Sequence, residues 1–512
     1  MSGYLRRLAT TGAAYTAASI VSKLIAVALL PLYTRYLTPT DYGYAEVMFA
    51  AVVSVSIVVR FGMIEALLRF YYRDDEDPSR VVATSFAALF WLATAAALVA
   101  LPFAKPISEA LLAKPAPDLA RVAIGGLWVA TMFEFLLTLF RLEERARAFF
   151  VTTMLNVLTS IGLTVVLVVG AGEGARGLLL GSYASGAAFV LALIWVHRGH
   201  LSLRFERPLL RRLLRFGLPT MPAELSLYAL NFVDRLILLR SAGAAEAGLY
   251  SLAVKFAQAV NVLVRGFQLA WPPLAYSIRD DGEARRTYAA VVTWFVTGCA
   301  FVVTGMWLFS RWIVRALTTP QFYDSFEAIG LVATGVTLYA LYMVLVVILG
   351  RTGRTEFNFP AAAAALAANV ALNLLLVPAL DIVGAGLALV ASYMVVLALM
   401  YGFTQRLFPV PYEWGRLARI VLISAALVGL GELLLPTDGL AGLTLRFGLW
   451  LVYPLALLVS GFFSPAERAW LARLRHPGEL LARLRSLRPA DGVDGRIPEV
   501  YEAERIDEDT HL

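Results

Sequence analysis

The chain has 512 residues, of which 59% are hydrophobic and only 16% are charged, with a mean hydropathy of +0.72. This composition excludes a soluble globular protein and is typical of a polytopic membrane protein. The net charge of +7 would suggest nucleic acid in a soluble protein, but these arginines lie mainly in loops between apolar runs, so no nucleic-acid partner is predicted. The single cysteine, Cys299, excludes an internal disulfide.

Apolar runs of about 20 residues, the length that crosses a bilayer, predict an all-α protein of about 14 transmembrane helices. The predicted spans are 10–33, 44–68, 81–103, 122–140, 149–169, 178–196, 216–239, 249–271, 288–309, 326–349, 359–380, 384–403, 417–435 and 440–463. Arginines concentrate in alternate loops, beginning with Arg6 and Arg7. This bias predicts that both termini are cytoplasmic.

The sequence repeats itself at a constant offset of 205 residues. The matched pairs are Arg35 and Arg240, Asp41 and Glu246, Gly43 and Gly248, Val59 and Val264, Arg60 and Arg265, Tyr71 and Tyr276, and Asp75 and Asp280. A second block at 174–183 recurs at 384–393, an offset of 210. Internal repeats are a common plan of secondary transporters, and an even number of helices per half predicts parallel halves.

The repeat and the loops predict five regions along the chain. The first and second six-helix lobes occupy 1–198 and 216–410, and a basic cytoplasmic connector at 199–215 joins them. Residues 208–215 of the connector are predicted to form an interfacial helix. Two further spans occupy 411–463, and the tail at 464–512 is predicted to be cytoplasmic, partly amphipathic and partly disordered.

Charged side chains inside apolar spans are the candidate functional residues, because charge at membrane depth is costly. The candidate substrate-binding cations are Lys23, Arg60, Lys255 and Arg265, and the candidate coupling or counter-charges are Glu46, Glu65, Glu134, Glu224 and Asp234. Arg60 and Arg265 are equivalent in the repeat, so we expect them to approach each other across the lobe interface. Acids or an anionic ligand would then have to neutralise them.

These candidates also have structural interpretations. Intramembrane charges would pair with each other or extend to the headgroups. Asp234 lies towards the outer end of its span, which favours a helix-end or headgroup contact. Glu224 lies close to Pro222, and a proline break frees backbone carbonyls where helices line a cavity. Asn369 and Asn373 share one helix face, as packing contacts or as cavity lining.

Motifs for enzyme chemistry are absent from the sequence. It contains neither a phosphate-binding Gly-Lys-Ser/Thr loop nor His-Glu-x-x-His, so no cofactor and no metal are predicted. His197 and His200 are interpreted as a solvated surface pair. The inter-helix loops are short, which favours transport over catalysis. A membrane glycosyltransferase or polymerase is the alternative from a different class, with Asp324 or Glu327 as its catalytic acid.

Three groups of segments together resemble the polysaccharide flippases of the multidrug/oligosaccharidyl-lipid/polysaccharide exporter (MOP) superfamily. Residues 30–39 with Asp41-Tyr42-Gly43 are similar to that family's first-helix signature. Residues 216–219, 234–235 and 247–250 resemble its seventh and eighth helices, and 369–373, 378–386 and 392–393 its eleventh and twelfth. The resemblance covers about residues 1–463.

The resemblance implies a V-shaped pair of lobes that works by alternating access in the bacterial cytoplasmic membrane. The implied cargo is an undecaprenyl-diphosphate-linked oligosaccharide, moved from the inner to the outer leaflet for lipopolysaccharide, capsule or exopolysaccharide biosynthesis. Membrane lipids, a coupling H⁺ or Na⁺ and polysaccharide polymerase machinery are the further implied partners. Lys23, Arg60 and Arg265 occupy places similar to the cavity cations of the lipid II flippases in the same superfamily.

Two alternatives come from the same superfamily. A multidrug or toxin exporter would be a cation antiporter that depends on acidic residues, and a lipid II flippase would carry a different lipid-linked cargo. The cations in the spans favour an anionic cargo. An interior-negative potential favours outward movement of an anion by about 2.3 kcal/mol per charge per 100 mV, and it would draw an empty, positive site back inward.

Overall fold

A computed structural model of the protein describes residues 21, 25, 27–72, 77–463 and 467–468. Every regular element in this part of the chain is helical. Lys23, most of the first predicted span and, apart from 467–468, the predicted tail of 464–512 lie outside the described residues. The chain divides into a unit that ends at Tyr453 and a second unit that begins at Pro454.

The α-helices are numbered in chain order over the described residues. They are α1 (Leu30–Tyr36), α2 (Pro39–Arg60), α3 (Met63–Phe70), α4 (Pro78–Ala100), α5 (Ala104–Leu112), α6 (Pro117–Leu142), α7 (Ala146–Val165), α8 (Gly174–His197), α9 (Arg207–Gly217), α10 (Met221–Ser241), α11 (Ala244–Ala257), α12 (Val260–Ser277), α13 (Asp281–Leu317), α14 (Phe326–Arg351), α15 (Asn358–Leu407), α16 (Trp414–Leu434) and α17 (Gly439–Val459). Short 3₁₀ or π turns lie at Leu101–Phe103, Val166–Gly170, Pro320–Ser325 and Thr355–Phe357.

Ten helical segments of the described chain are long and apolar enough to cross a membrane, which confirms a polytopic membrane protein. One of them, the 50-residue α15, contains both predicted spans 359–380 and 384–403. The chain bends within α15 at Asp381, whose φ of 45° and ψ of −125° are not helical. The predicted spans 216–239 and 249–271 correspond to α10 and to α11 with α12.

Helix α2 packs against α6 and α8 of the first half and against α10 and α11 of the second. It begins with a capping box in which the Thr38 hydroxyl accepts a hydrogen bond from the Asp41 amide at 3.1 Å. It ends where Phe61 and Gly62 adopt positive φ values of 48° and 66°. The single span predicted at 44–68 is therefore two helices, α2 and α3.

The span predicted at 249–271 is also interrupted, between α11 and α12. The Gln258 amide bonds the carbonyl of Val254 at 3.1 Å and that of Lys255 at 3.3 Å, and the Ala259 amide bonds the Phe256 carbonyl three residues back. The tighter turn ends α11. Neither interruption contains a proline, so neither was visible as a break in the apolar pattern.

Helix α9 occupies the basic connector between the two halves. Leu209 and Leu213 are buried, and the helix packs against α3 and α4. Arg80 and Glu206 form an ion pair just before α9 begins. The hydrogen bond from Arg80 holds the pKa of the Glu206 carboxyl below its usual range. The connector is thus attached to the first half.

Candidate functional site

Helices α2 and α11 cross at two glycines, Gly43 and Gly248. A Cβ on Gly43 would lie 1.9 Å from the Ala244 carbonyl oxygen, and one on Gly248 would lie 2.0 Å from the Pro39 carbonyl oxygen. The two backbones therefore touch, and no larger residue fits unless a helix moves. Gly43 and Gly248 are one of the pairs matched in the sequence repeat, so equivalent positions of the two halves are in direct contact.

An ion pair between the halves lies about one turn along α2 from this crossing. Lys255 Nζ is 2.7 Å from Glu46 Oε1, and the Lys255 ammonium lies 4.8 Å from the centre of the Tyr42 ring. The Glu46 side chain is 10% exposed and that of Lys255 is 32% exposed. Lys255, a candidate substrate-binding cation, is thus engaged by a carboxylate of the other half.

We expect Glu46→Gln to destabilise the protein by on the order of 3 kcal/mol, because Lys255 would lose its counter-charge in a poorly hydrated site. The exchange Glu46→Lys with Lys255→Glu should recover more than half of that loss. The midpoint of thermal unfolding in detergent measures both changes. Asp118→Asn is the control: its ion pair with Arg121 is exposed, so its loss should cost less than about 1 kcal/mol. An exchange variant as unstable as the single variant would contradict the pairing.

Arg60 ends α2 as a buried charge whose side chain is 6% exposed. Its Nη1 is 2.5 Å from Glu134 Oε2, its Nη2 is 3.2 Å from Glu224 Oε1, and its Nε donates to the Ser56 carbonyl at 3.3 Å. Glu134 lies on α6 of the first half and Glu224 on α10 of the second. Arg60 therefore links the two halves through carboxylates.

A cavity of about 300 Å³ lies among α10, α11, α12, α14 and α15. Its polar lining residues are Glu224, Tyr228, Gln258, Asn261, Arg265, Tyr339 and Tyr393. Arg265 is exposed and makes no ion pair with any other described residue. The cavity therefore offers an unneutralised guanidinium together with amide and phenol groups.

Arg60 and Arg265, which are predicted to approach each other across the lobe interface, have one acidic neighbour in common. Glu224 binds Arg60 and also lines the cavity that contains Arg265. One carboxylate thus connects the surroundings of both arginines. Glu134 and Glu224 both lie within 3.2 Å of Arg60, so the Arg60 charge has two acidic neighbours. The effect of the membrane potential on an empty site stays a prediction.

Asp234 is buried in a polar cluster rather than placed at the headgroups. Its carboxylate accepts hydrogen bonds from the Tyr250 hydroxyl at 3.0 Å, from Asn369 Nδ2 at 2.9 Å and from Asn373 Nδ2 at 2.7 Å. Asp234 is 1% exposed. The interpretation of Asp234 as a headgroup anchor is therefore wrong, because donors from α11 and α15 enclose it.

Of the two interpretations of Asn369 and Asn373, packing contact and cavity lining, the buried contacts with Asp234 favour packing. Both are completely buried, and their Oδ1 atoms have no hydrogen-bond partner among the described residues. Each amide presents its Nδ2 to the Asp234 carboxylate, and the two Oδ1 atoms are the remaining polar atoms of these buried side chains. Asp234, Asn369 and Asn373 are thus one cluster.

Other candidates occupy less informative places. Glu65 is half-buried on α3 and makes no ion pair with another described residue. The interpretation of His197 and His200 as a solvated pair is wrong. His200 is exposed, but His197 is only 2% exposed. The Nδ1 atom of His197 lies 3.0 Å from the Leu193 carbonyl oxygen, and its ring packs against Phe140. The apolar contact with Phe140 and the backbone acceptor stabilise the buried imidazole.

Several contacts were not predicted from the sequence. The polar pair Gln258 and Asn261, three residues apart within an apolar span, was a visible signal for the cavity. A Cβ on Gly62 would lie 2.0 Å from the Gly217 carbonyl oxygen, so the junction of α2 and α3 touches that of α9 and α10. The sequence carried no signal for this second glycine contact, because Gly62 and Gly217 are not repeat equivalents.

Arg446 is a further buried charge, on α17. Its Nη1 is 2.5 Å from Glu432 Oε1 and 3.3 Å from the Leu308 carbonyl oxygen. Its Nε donates to the Pro436 carbonyl at 3.2 Å. These contacts tie the α16–α17 hairpin to α13, so Arg446 has a structural role.

The polysaccharide biosynthesis protein family has a sequence model that matches residues 32–327. The chain belongs to this family. No curated protein matches the chain. The matched residues of this family member include the glycine crossing, Arg60 and its two carboxylates, Asp234 and Arg265.

Three solved structures show which fold the family member has. The lipid II flippase MurJ, in an inward closed conformation, has a TM-score of 0.66 at 13% identity over 87% of this chain and 98% of that chain. An inward-facing multidrug resistance MATE family transporter of the MOP superfamily has a TM-score of 0.63 at 17% sequence identity, and the match covers 78% of this chain and 96% of that chain. A MOP superfamily transporter from Pyrococcus furiosus has a TM-score of 0.52 at 16% sequence identity, and the match covers 81% of this chain and 95% of that chain. The fold is that of these solved transporter structures.

Proposed function

We propose that the protein is a flippase that moves an undecaprenyl-diphosphate-linked oligosaccharide from the inner to the outer leaflet of the bacterial cytoplasmic membrane. It would work by alternating access, with both termini cytoplasmic, and would supply the assembly of lipopolysaccharide, capsule or exopolysaccharide. Membership of the polysaccharide biosynthesis family supports this role. Transport rather than catalysis is the proposed activity.

The observation that carries the proposal is Arg265 in the cavity of the second half, where it has no ion-pair partner among the described residues. A diphosphate dragged through hydrocarbon without partners would be prohibitively costly. A guanidinium replaces part of its hydration with charge-assisted hydrogen bonds. Asn261 and Gln258 offer amide groups to sugar hydroxyls, and Tyr339 and Tyr393 offer flat faces.

Helix α12 separates this polar cavity from an apolar groove. Leu263, Gly266, Phe267 and Trp294 are among the residues that line a groove of about 820 Å³ between α12 and α13. Arg265 lies on the cavity side of the same helix. A lipid with a charged head and an isoprenoid tail has the same division of polarity, so its head and tail would lie on opposite sides of α12.

The Asp234 cluster is the proposed coupling site, for H⁺ or Na⁺. A buried carboxylate with only neutral hydrogen-bond donors is costly when ionised, and a bound cation or proton removes that cost. Tyr250, Asn369 and Asn373 position it. If either amide turned over, its Oδ1, which has no hydrogen-bond partner among the described residues, would become a further ligand for a cation.

A multidrug or toxin exporter is the second candidate function. It is favoured by the half-exposed carboxylates of Glu134 and Glu224, at 48% and 41%, which would suit an organic cation. A lipid II flippase is the alternative with a related anionic cargo. Arg265 favours the anionic cargo, since an unpaired guanidinium beside Glu224 opposes the binding of a cation.

The test is a leaflet-exchange measurement in reconstituted vesicles with a fluorescent prenyl-diphosphate disaccharide, quenched by a membrane-impermeant reductant. We expect exchange to require the protein and to fall at least tenfold in Arg265→Ala, because loss of one charge-assisted contact is worth about 1.5–3 kcal/mol. Arg204→Ala, which removes an exposed arginine of the connector, is the matched control and should exchange normally.

Two outcomes would contradict the proposal. Exchange that is unchanged in Arg265→Ala would remove the anion site. A wild-type protein that moves no lipid but expels an organic cation in exchange for H⁺ or Na⁺ would establish the exporter instead.

A further inference from the structure

The guanidinium of Arg60 has no nitrogen without an acceptor. Nη1 contacts the Glu134 carboxylate, Nη2 contacts the Glu224 carboxylate, and Nε donates a hydrogen bond to the Ser56 carbonyl. A phosphate group binds a guanidinium through the same paired N–H groups that a carboxylate uses. A phosphate can therefore bind two guanidinium nitrogens of Arg60 in this paired way only if at least one of the two glutamates leaves.

The three side chains differ in their access to open space. Arg60 is 6% exposed, whereas Glu134 and Glu224 are 48% and 41% exposed. A half-exposed carboxylate regains hydration when it turns away, but a buried guanidinium without a partner is strongly unfavourable. The movable members of this triad are therefore the glutamates, and Arg60 needs an anion next to it at every stage.

Glu224 also connects the triad to the cavity. It lines the same cavity as Arg265, which has no carboxylate partner among the described residues. An anion that enters this cavity and binds Arg265 would lie next to Glu224. Repulsion between that anion and the Glu224 carboxylate weakens the hold of Glu224 on Arg60.

Resting on the flippase function proposed above, we infer that Glu134 and Glu224 are exchangeable counter-anions of Arg60 that determine which lipid headgroups are accepted. A headgroup with one negative charge gains little at Arg60, because it only replaces a carboxylate of equal charge. A diphosphate diester carries two charges and can bind Arg60 and Arg265 together, so it displaces a glutamate with a net gain.

This arrangement selects against ordinary membrane lipids. Phospholipid headgroups are phosphodiesters with one charge on the phosphate, and they greatly outnumber any lipid-linked sugar in the bilayer. A bare arginine pair would bind them as well. A headgroup with a single charge must displace a glutamate from Arg60, and the cost of that displacement lowers its affinity. Proteins commonly achieve specificity through such unfavourable interactions with the wrong ligand. After release of the cargo, the same glutamates neutralise Arg60 again.

The test compares two ligands that share one sugar and one short prenyl chain and differ in the linkage, either a diphosphate or a single phosphodiester. Binding of each is measured by titration of the purified full-length protein in detergent. We expect the wild type to prefer the diphosphate at least thirtyfold. Glu134→Gln and Glu224→Gln should each lower this ratio about tenfold, mainly through tighter binding of the phosphodiester ligand.

Two further variants keep the result interpretable. Glu134→Asp retains the carboxylate and should keep most of the preference, and Asp118→Asn removes an exposed carboxylate outside the triad and should not change the ratio. Thermal unfolding of each variant identifies a folding defect, and a ratio of two affinities does not depend on the folded fraction. Folded glutamine variants with the wild-type ratio would overturn the inference.

The outcomes also separate this inference from the function on which it rests. A wild type that binds neither ligand and exchanges no lipid would refute the flippase itself. The other outcome is that the wild type prefers the diphosphate and exchanges lipid, but the glutamine variants are equally selective. This result would support the flippase function and refute only the role of the glutamates.

Discussion

Gly43→Ala and Gly248→Ala are each expected to reduce lipid exchange at least a hundredfold. The new methyl group would lie 1.9 Å from the Ala244 carbonyl oxygen in the first variant and 2.0 Å from that of Pro39 in the second. Neither acceptor is a flexible side chain, so α2 and α11 must separate, at a cost on the order of 3 kcal/mol. Leaflet exchange in vesicles and thermal unfolding in detergent measure the two effects.

Gly125→Ala is the matched control for this prediction. A Cβ on Gly125, in the middle of α6, would meet nothing within 4 Å. Alanine should therefore be tolerated there and should stabilise the helix by up to about 1 kcal/mol. Normal exchange in Gly43→Ala or Gly248→Ala would show that the contact of the two backbones is not required for transport.

Asp234→Asn is expected to reduce gradient-driven lipid exchange at least a hundredfold while leaving the protein folded. The amide has nearly the shape of the carboxylate but cannot bind a proton or balance the charge of a sodium ion. Removal of a buried charge should also maintain or raise the midpoint of thermal unfolding. Exchange is measured with an imposed Na⁺ or H⁺ gradient, so that dependence on each ion is read separately.

Tyr250→Phe provides the comparison for Asp234→Asn. It removes one hydrogen-bond donor from the cluster and keeps the carboxylate, so transport should be reduced only a few-fold. If Asp234→Asn responded to both gradients as the wild type does, Asp234 would have a structural role and the coupling site would have to lie elsewhere.

The sequence was sufficient to predict the membrane class and most helices, because both depend on local apolar runs. The repeat also identified Gly43 and Gly248 as equivalent, although it gave no indication that they touch. The interruptions at Phe61 and Gln258 were not predicted, since each is a local departure from helical geometry inside a predicted span and neither contains a proline. The bend at Asp381 was anticipated only as a very short loop.

The candidate site was harder to predict, because its properties depend on partners distant in the sequence. Asp234 was placed near the membrane surface from its position in the span, but Asn369 and Asn373, more than 130 residues away, enclose it. Arg60 was identified as a cation in the membrane. Nothing in the sequence showed which of the five acidic candidates would neutralise it, since α6 and α10 meet α2 only in the folded protein.

The glycine crossing has a mechanical consequence for Arg60. Both lie on α2, and the 17 residue steps from Gly43 to Arg60 correspond to a distance of about 26 Å along the helix. If the two halves rotate by about 10° about the point where α2 and α11 cross, the Arg60 end of α2 moves by about 4–5 Å. That displacement exceeds the 3.2 Å contact between Arg60 and Glu224, so a small rocking motion at the glycines would break this ion pair, provided that the backbone contact between Gly62 and Gly217 opens with it.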